Sequence, residues 1–300
     1  MSVETEHVKV AVGVPCYNAA ATIGACIASL GEQTRTPDEI IVVDDGSTDN
    51  SGLLAGYAGA EVISPGENVG LSAARNLLWQ HTDADIILFV DADTVARSDL
   101  LEKLLKHYVS PEVGGVGGQA VEARIESIYD LWRKFSAAQT LGDRVLEDAQ
   151  VLFGLCCSYR RSVLEQATGF DPYFRTNGED HDISIRIRKV GHRLVYEPAA
   201  VVEHYRTDTF RSLMRMLYRY ELFTQVAKMR NGVLIENHYR TFWRRVGFFF
   251  GRLSQIASRM RGFKFALIDL AALVPVFAAC YRAKSLARQG LARSRAHSNV

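Results

Sequence analysis

The chain has 300 residues, 48% hydrophobic and 23% charged, a balance that excludes wholesale disorder and allows a large buried core. Its mean hydropathy of −0.03 excludes a protein built mainly of membrane spans. The formal net charge of +1 divides unevenly: residues 205–300 hold 18 Lys and Arg against 4 Asp and Glu, a net of +14, whereas residues 1–204 hold 17 against 30, a net of −13. An acidic body with a basic tail directs the tail toward an anionic surface.

Val8–Val14 is a β-branched run halted by Pro15 and reads as a buried strand. Ala19–Leu30 carries Ile23, Ile27 and Leu30 on one helical face. Strands are expected at Glu39–Val43, Glu61–Ser64 and Asp85–Val90, and helices at Leu71–Trp79 and Ser98–Tyr108. This alternation predicts an α/β fold with a mostly parallel central sheet flanked by helices. From 113 to 204 the pattern is less regular: a glycine-rich Val113–Gly118, a helix over Glu122–Val145, a strand over Val151–Tyr159, helices at Arg161–Gln166 and Ile183–Val190, and short strands at His192–Tyr196 and Ala200–His204. The tail reads as helices at Phe210–Lys228, Thr241–Arg261 and Phe263–Tyr281, a basic helical extension.

Ligands of parallel α/β sheets bind beyond the carboxyl ends of the strands, where the polar clusters of this chain fall: Cys16-Tyr17-Asn18, Asp44-Asp45-Gly46-Ser47 and Asp91-Ala92-Asp93. The first turn, Gly13-Val14-Pro15-Cys16-Tyr17-Asn18, lacks the glycines of a dinucleotide site, and no Gly-x4-Gly-Lys-Ser/Thr occurs. Hydride transfer and P-loop chemistry are therefore excluded. The five cysteines (Cys16, Cys26, Cys156, Cys157, Cys280) have no zinc spacing, and a thiol nucleophile is not expected. Asp91 and Asp93 at a strand end suit Mg²⁺ or Mn²⁺ bridging a diphosphate, although the same triplet also makes a solvated turn. Asp44-Asp45-Gly46 is equally a common turn, Glu179-Asp180 equally compensates a helix dipole, and His204 alone marks no ligand.

Taken in order, Val14–Asn18, Val42–Asp49, Asn68-Val69-Gly70 with Ala74-Arg75-Asn76, Asp91–Asp93, Gly178-Glu179-Asp180 and His204 resemble the family 2 glycosyltransferases of GT-A fold, over residues 8 to 225. The segment Gly178–Pro198 carries the resemblance most specifically. It implies a nucleotide-diphospho-sugar transferase that inverts the anomeric carbon and needs Mg²⁺ or Mn²⁺. The implied donor set is Pro15, Tyr17, Asn18, Asp45, Asn68, Arg75, Asp91 and Ala92: Pro15 and Tyr17 against the base, Asp45 at its edge, Arg75 on the nucleotide and the Asp-x-Asp loop, and Asp91 toward the ribose. Asp93 and His204 would hold the metal, Asp180 would be the general base and Glu179 would orient the acceptor or loop. Cys156 and Cys157 depart from the small residues such enzymes often place beside the donor sugar.

The donor expected is a nucleotide-sugar, uridine favoured over guanosine, and the acceptor a saccharide or lipid-linked saccharide. No Gln-x-x-Arg-Trp follows the base motif, which favours single addition over a processive synthase. Competing readings are a sugar-nucleotide nucleotidyltransferase, which needs a glycine- and basic-rich first loop, and a non-catalytic nucleotide-sugar binding protein. Residues 1–208 are expected to be the catalytic domain and 209–300 a basic region meeting an anionic membrane surface. The uninterrupted apolar part of its last helix, Leu270–Tyr281, falls short of the roughly 20 residues of a span. No nucleic-acid motif accompanies the charge. Met1–His7 is polar and acidic, so a cytoplasmic protein, peripheral at the inner face of the membrane, is expected.

Overall fold

In the computed structural model, residues 8–233 and 260–297, with Trp243 and Gly247, are described. Contacts divide the chain into two units, Met1–Ala123 with Ala138–Tyr205, and Arg124–Ala137 with Arg206–Val300.

The first unit is built on eight strands: β1 (Val10–Cys16), β2 (Glu39–Asp44), β3 (Glu61–Ile63), β4 (Ile86–Val90), β5 (Thr94–Ala96), β6 (Val113–Glu122), β7 (Cys156–Arg160) and β8 (Arg193–His204). They form one sheet in the order β3-β2-β1-β4-β7-β6-β8-β5. β1 through β4 pair in parallel, β7 runs antiparallel to β4 and β6, β8 is parallel to β6, and β5 closes the edge antiparallel to β8. β1 is buried on both faces, as central parallel strands are. Val10, Val12 and Val14 pack with Ile23, Ile27 and Leu30 of α1 (Ile23–Gly31), while Ala11 lies in the opposite cluster with Leu78 and Trp79 of α3 (Leu71–His81). A short helix, α2 (Ser51–Tyr57), joins β2 to β3, and α4 (Leu100–Leu105) follows β5.

Expectations change beyond residue 113, where the strand expected over Val151–Tyr159 is confined to β7, Cys156–Arg160. The glycine-rich stretch is the first part of β6, and its glycines have a steric reason. A Cβ on Gly115 would lie 2.6 Å from the Tyr159 ring, and one on Gly118 would lie 2.2 Å from the Ala200 carbonyl oxygen. The helix expected over Glu122–Val145 contracts to α5 (Ile128–Ser136): Ser127 and Asp130 form a capping box before it, and the chain leaves helical geometry at Ala137. The two short strands expected at 192–204 are one strand, β8. Pairing with β6 shifts from Gly117↔Tyr196 to Gln119↔Val201, so Pro198 falls in a bulge, where Gln119 Nε2 donates to its carbonyl at 2.6 Å. α6 (Arg161–Gln166) and α7 (Glu179–Lys189) complete this unit, α7 starting four residues earlier than expected.

The second unit is helical. α5 packs with α8 (Phe210–Arg230) and α9 (Met260–His297) around Trp132, Leu213, Met216, Leu217, Ile268 and Ala272. Trp132 Nε1 donates to Asp269 at 2.9 Å, and Asp208, a carboxylate partner of Arg133, takes its own backbone N–H to Asp130 at 2.6 Å. Among the described residues α9 is long and apolar enough to cross a membrane by length and composition: Lys264–Leu286 has a mean hydropathy of 1.7. The tract is thus longer than the run Leu270–Tyr281, although a third of its apolar window is buried. The helix expected at Thr241–Arg261 lies almost wholly outside the described residues.

Candidate active site

The sheet order brings the polar strand ends together. β5 pairs with β8 so that Thr94 faces His204, and β6 pairs with β8 so that Glu122 faces His204. These registers set a histidine 111 positions from Asp93 beside that carboxylate: Nε2 lies 3.4 Å from Asp93 Oδ2, and Nδ1 lies 3.2 Å from Glu122 Oε1. His204 and Glu122 are buried, whereas 38% of the Asp93 side chain is exposed. Burial works against the imidazolium, but hydrogen bonds to Asp93 and Glu122 outweigh it, and His204 is pushed up to about 9.

Arg75, on α3, is fully enclosed beneath this edge. Its Nη1 donates to Glu179 Oε1 at 2.9 Å, and its Nη2 donates to the Gly154 carbonyl at 2.8 Å and to Asp91 Oδ1 at 3.2 Å. The guanidinium also lies 5.8 Å from the Phe89 ring centroid and 5.6 Å from that of Phe170. A Cβ on Gly154 would meet both terminal guanidinium nitrogens within 2.9 Å and Glu179 Oε1 at 3.0 Å, so a larger residue there would displace the guanidinium from its partners. Burial disfavours the charge on Arg75, yet Glu179 and Asp91 hold its pKa above the ordinary arginine value. Burial and the adjacent Asp180 push Glu179 up to about 8 against the pull of Arg75. Asp91 is likewise raised, first by the protein packed around it.

Gly178, at φ 87°, ends the preceding loop and starts α7, whose first turn carries Glu179, Asp180 and Asp182. Asp180 is half-buried. Its Oδ1 accepts from the His181 N–H at 2.8 Å and its Oδ2 lies 3.4 Å from the Gly154 N. Glu179 and Asp180 therefore point to different tasks: the first is tied to Arg75, and the second borders the same loop with a partly open carboxylate.

On the β1–β2 side, Pro15 lies in β1 beyond the last β4 pairing, opposite Val43. Tyr17 is exposed, and Asn18 adopts φ 51° while its Oδ1 accepts from the Thr48 N–H at 2.8 Å. Asp45, expected at the base edge, is buried with both carboxylate oxygens on backbone amides: Val69 N at 2.6 Å and Gly70 N at 2.9 Å. Asn68 donates to the Asp45 carbonyl at 3.0 Å and accepts from Arg175 at 3.0 Å. Ala92 is buried between the two aspartates. All five cysteines are buried free thiols. Glu122 and Arg175 carry no sequence signal above; Glu122 lies at a strand end like the other carboxylates, but on a strand whose extent is set by pairing.

Asp93 and His204 offer an exposed hard oxygen and an imidazole nitrogen at one point. Glu122 behind the ring is the kind of carboxylate that orients a metal-binding histidine. Asp93 and His204 would hold a divalent cation, whose binding would release the proton that the imidazolium shares with Asp93 and Glu122.

Residues 11–168 match the family described as glycosyl transferase family 2, and the chain belongs to that family. An N-acetylglucosaminyltransferase of Azorhizobium caulinodans is 34% identical over 236 residues, covering 71% of this chain and 58% of that protein. A pre-mycofactocin glycosyltransferase of Mycobacterium tuberculosis is 30% identical over 210 residues, covering 66% of this chain and 43% of that protein. The chain thus spans about half the length of these curated relatives. Among solved structures, a Pyrobaculum calidifontis mannosyltransferase in complex with GDP-Man and Mn²⁺ superposes with a TM-score of 0.58 at 20% identity, over 99% of this chain and 82% of that one. Glucosyl-3-phosphoglycerate synthase from Mycobacterium tuberculosis, in complex with Mn²⁺, UDP-Glc and phosphoglyceric acid, gives 0.55 at 18% identity, over 76% and 81%. The chain has the GT-A fold of these glycosyltransferases.

Proposed function

We propose that this glycosyltransferase moves a sugar from a nucleoside-diphosphate sugar to a hydroxyl of a saccharide or lipid-linked saccharide, one unit at a time and with inversion. The observation that carries the reading is the convergence of Arg75, Asp91 and Glu179 with Asp180, beside the Asp93–His204 pair, at the carboxyl edge of the sheet.

Asp180 takes the acceptor proton as the hydroxyl oxygen attacks the anomeric carbon and the bond to the diphosphate breaks. A single displacement with no covalent intermediate inverts that centre. Arg75 keeps the Asp-x-Asp loop and the start of α7 in register, so acceptor base and donor site keep a fixed separation. Asp93 and His204 would hold Mg²⁺ or Mn²⁺, which when bound neutralises the departing diphosphate. The donor would meet Pro15, Tyr17, Asn18, Asn68 and Asp91, while Asp45, Arg75 and Ala92, expected as donor contacts, are buried and act by holding the loops around it. Tyr17 offers its ring face to the base, and Asp45 acts through the Asn68–Gly70 backbone that it holds.

Uridine is favoured as the base. The relatives named N-acetylglucosaminyltransferase make UDP-N-acetylglucosamine the first donor to test. Residues 1–208 would be the catalytic domain. The basic 209–300 would keep the enzyme peripheral at the inner face of a membrane, where a lipid-linked acceptor is met. A panel of nucleotide-sugars with Mn²⁺ or Mg²⁺, scored by thermal shift and diphosphate release, tests the reading. A UDP-sugar should stabilise the protein and release UDP only with metal. No response to any donor, or equal turnover in EDTA, would overturn it.

A further inference from the structure

α9 carries two apolar faces. Ala272, Val276, Ala279 and Ala283 are buried, in the helix that packs on α8 and α5. On the opposite side Leu267, Leu270, Val274, Phe277 and Tyr281 recur at spacings of three and four and are 49–72% exposed. At about 1.5 Å per residue this stripe runs roughly 21 Å. A groove of about 260 Å³ lined by Ile128, Tyr129, Phe210, Lys264, Leu267 and Ile268 continues the apolar surface onto α5 and α8.

Charge selects the occupant. Lys264 stands before the stripe, and Arg282 and Lys284 after it, all exposed. The one acidic residue between Lys264 and Leu286 is Asp269, which accepts from Trp132. On α8, Arg211, Arg215 and Arg219 follow at i, i+4 and i+8, a row of like charges that costs helix stability unless an anion compensates it. A second copy would bring another +14 tail against this one. A membrane-spanning α9 would meet lipid on all sides, whereas the Ala272–Ala283 face is already covered by protein.

We infer that α9 lies in the plane of an anionic bilayer, with Leu267, Leu270, Val274, Phe277 and Tyr281 in the acyl boundary and Lys264, Arg282 and Lys284 among the phosphates. This rests on the peripheral-membrane reading above and names the surface that performs it.

Co-sedimentation of the full chain with phosphatidylcholine vesicles, with and without about one-third phosphatidylglycerol, tests the inference at physiological salt. Anionic vesicles should bind at least about tenfold better than neutral ones. The double variant Val274→Asp, Phe277→Asp should lose about tenfold or more of that binding. Arg282→Glu with Lys284→Glu should lower binding and weaken its salt dependence, and this holds the test open should the first pair unfold the unit. Alkaline carbonate should release the vesicle-bound protein. Equal binding to neutral vesicles, indifference to both variant pairs, or resistance to carbonate would overturn the inference. So would a dimer in sedimentation velocity that Val274→Asp, Phe277→Asp dissociates. Donor binding is followed separately by thermal shift; its failure with vesicle binding intact would sink the transferase reading and leave this one standing.

Discussion

Arg75 Nη1 and Glu179 Oε1 meet at 2.9 Å where neither side chain reaches solvent, linking a helix behind the first parallel strands to the first turn of the helix that carries Asp180. The same guanidinium reaches Asp91 and the Gly154 carbonyl. Removing one partner from a buried pair costs far more than the pair contributes, because the remaining charge stays enclosed.

Arg75→Lys keeps the charge but not the fork, since one ammonium cannot serve Glu179, Asp91 and Gly154 in that geometry. The variant should remain folded, lose about 1–3 kcal/mol of stability, and lose about 100-fold in kcat/KM through misplacement of the two loops. Denaturant melts and donor-turnover kinetics check both. Near-wild-type kcat/KM would show that the network does not position the site.

Glu122 sits behind His204, so Glu122→Gln should act on metal use more than on the fold. The metal concentration for half-maximal activity should rise about 10- to 100-fold, while the circular dichroism spectrum is kept. Titrating Mn²⁺ into metal-stripped protein gives the number. An unchanged half-maximal concentration would remove Glu122 from the site.

The acid limb of the stability curve should carry the signature of Glu197. This carboxylate is buried on β8, 2.7 Å from Lys106 Nζ and 2.8 Å from His107 Nε2, and it accepts from the Ala199 N–H. Burial alone would raise its pKa, but these donors prevail and bring it down to about 2. Between about pH 4.5 and 2 the unfolded chain then binds a proton that the folded protein does not, so stability falls as the pH drops through that window. Glu197→Gln should flatten this limb and lose about 1–3 kcal/mol at neutral pH. Urea melts from pH 7 to 3 measure it; an unchanged slope below pH 4.5 would contradict the assignment.

Much of this architecture is legible in the chain because its first half is locally explicit. Val8–Val14, Glu39–Val43 and Asp85–Val90 are apolar runs ending in polar clusters, and those ends form one edge of the sheet. The second half depends on pairing between distant segments. Gly114–Gly118 has little strand propensity and is a strand because Tyr159 and Ala200 approach its backbone. Pro198 divides the apolar pattern of β8, yet a bulge carries the strand past it to His204. Glu122 became a partner of His204 only through that register. Its charge alone, among 34 acidic residues, marked nothing.

In the proposed reaction Asp180 removes the acceptor proton in a displacement at the anomeric carbon. Asp180→Asn keeps the size of the side chain and much of its hydrogen bonding at the start of α7 while removing its basicity. With the donor and metal identified by the panel, single-turnover transfer by this variant should fall by about 100-fold or more, while donor affinity measured by calorimetry stays as in the wild type. Transfer at the wild-type rate would contradict the account.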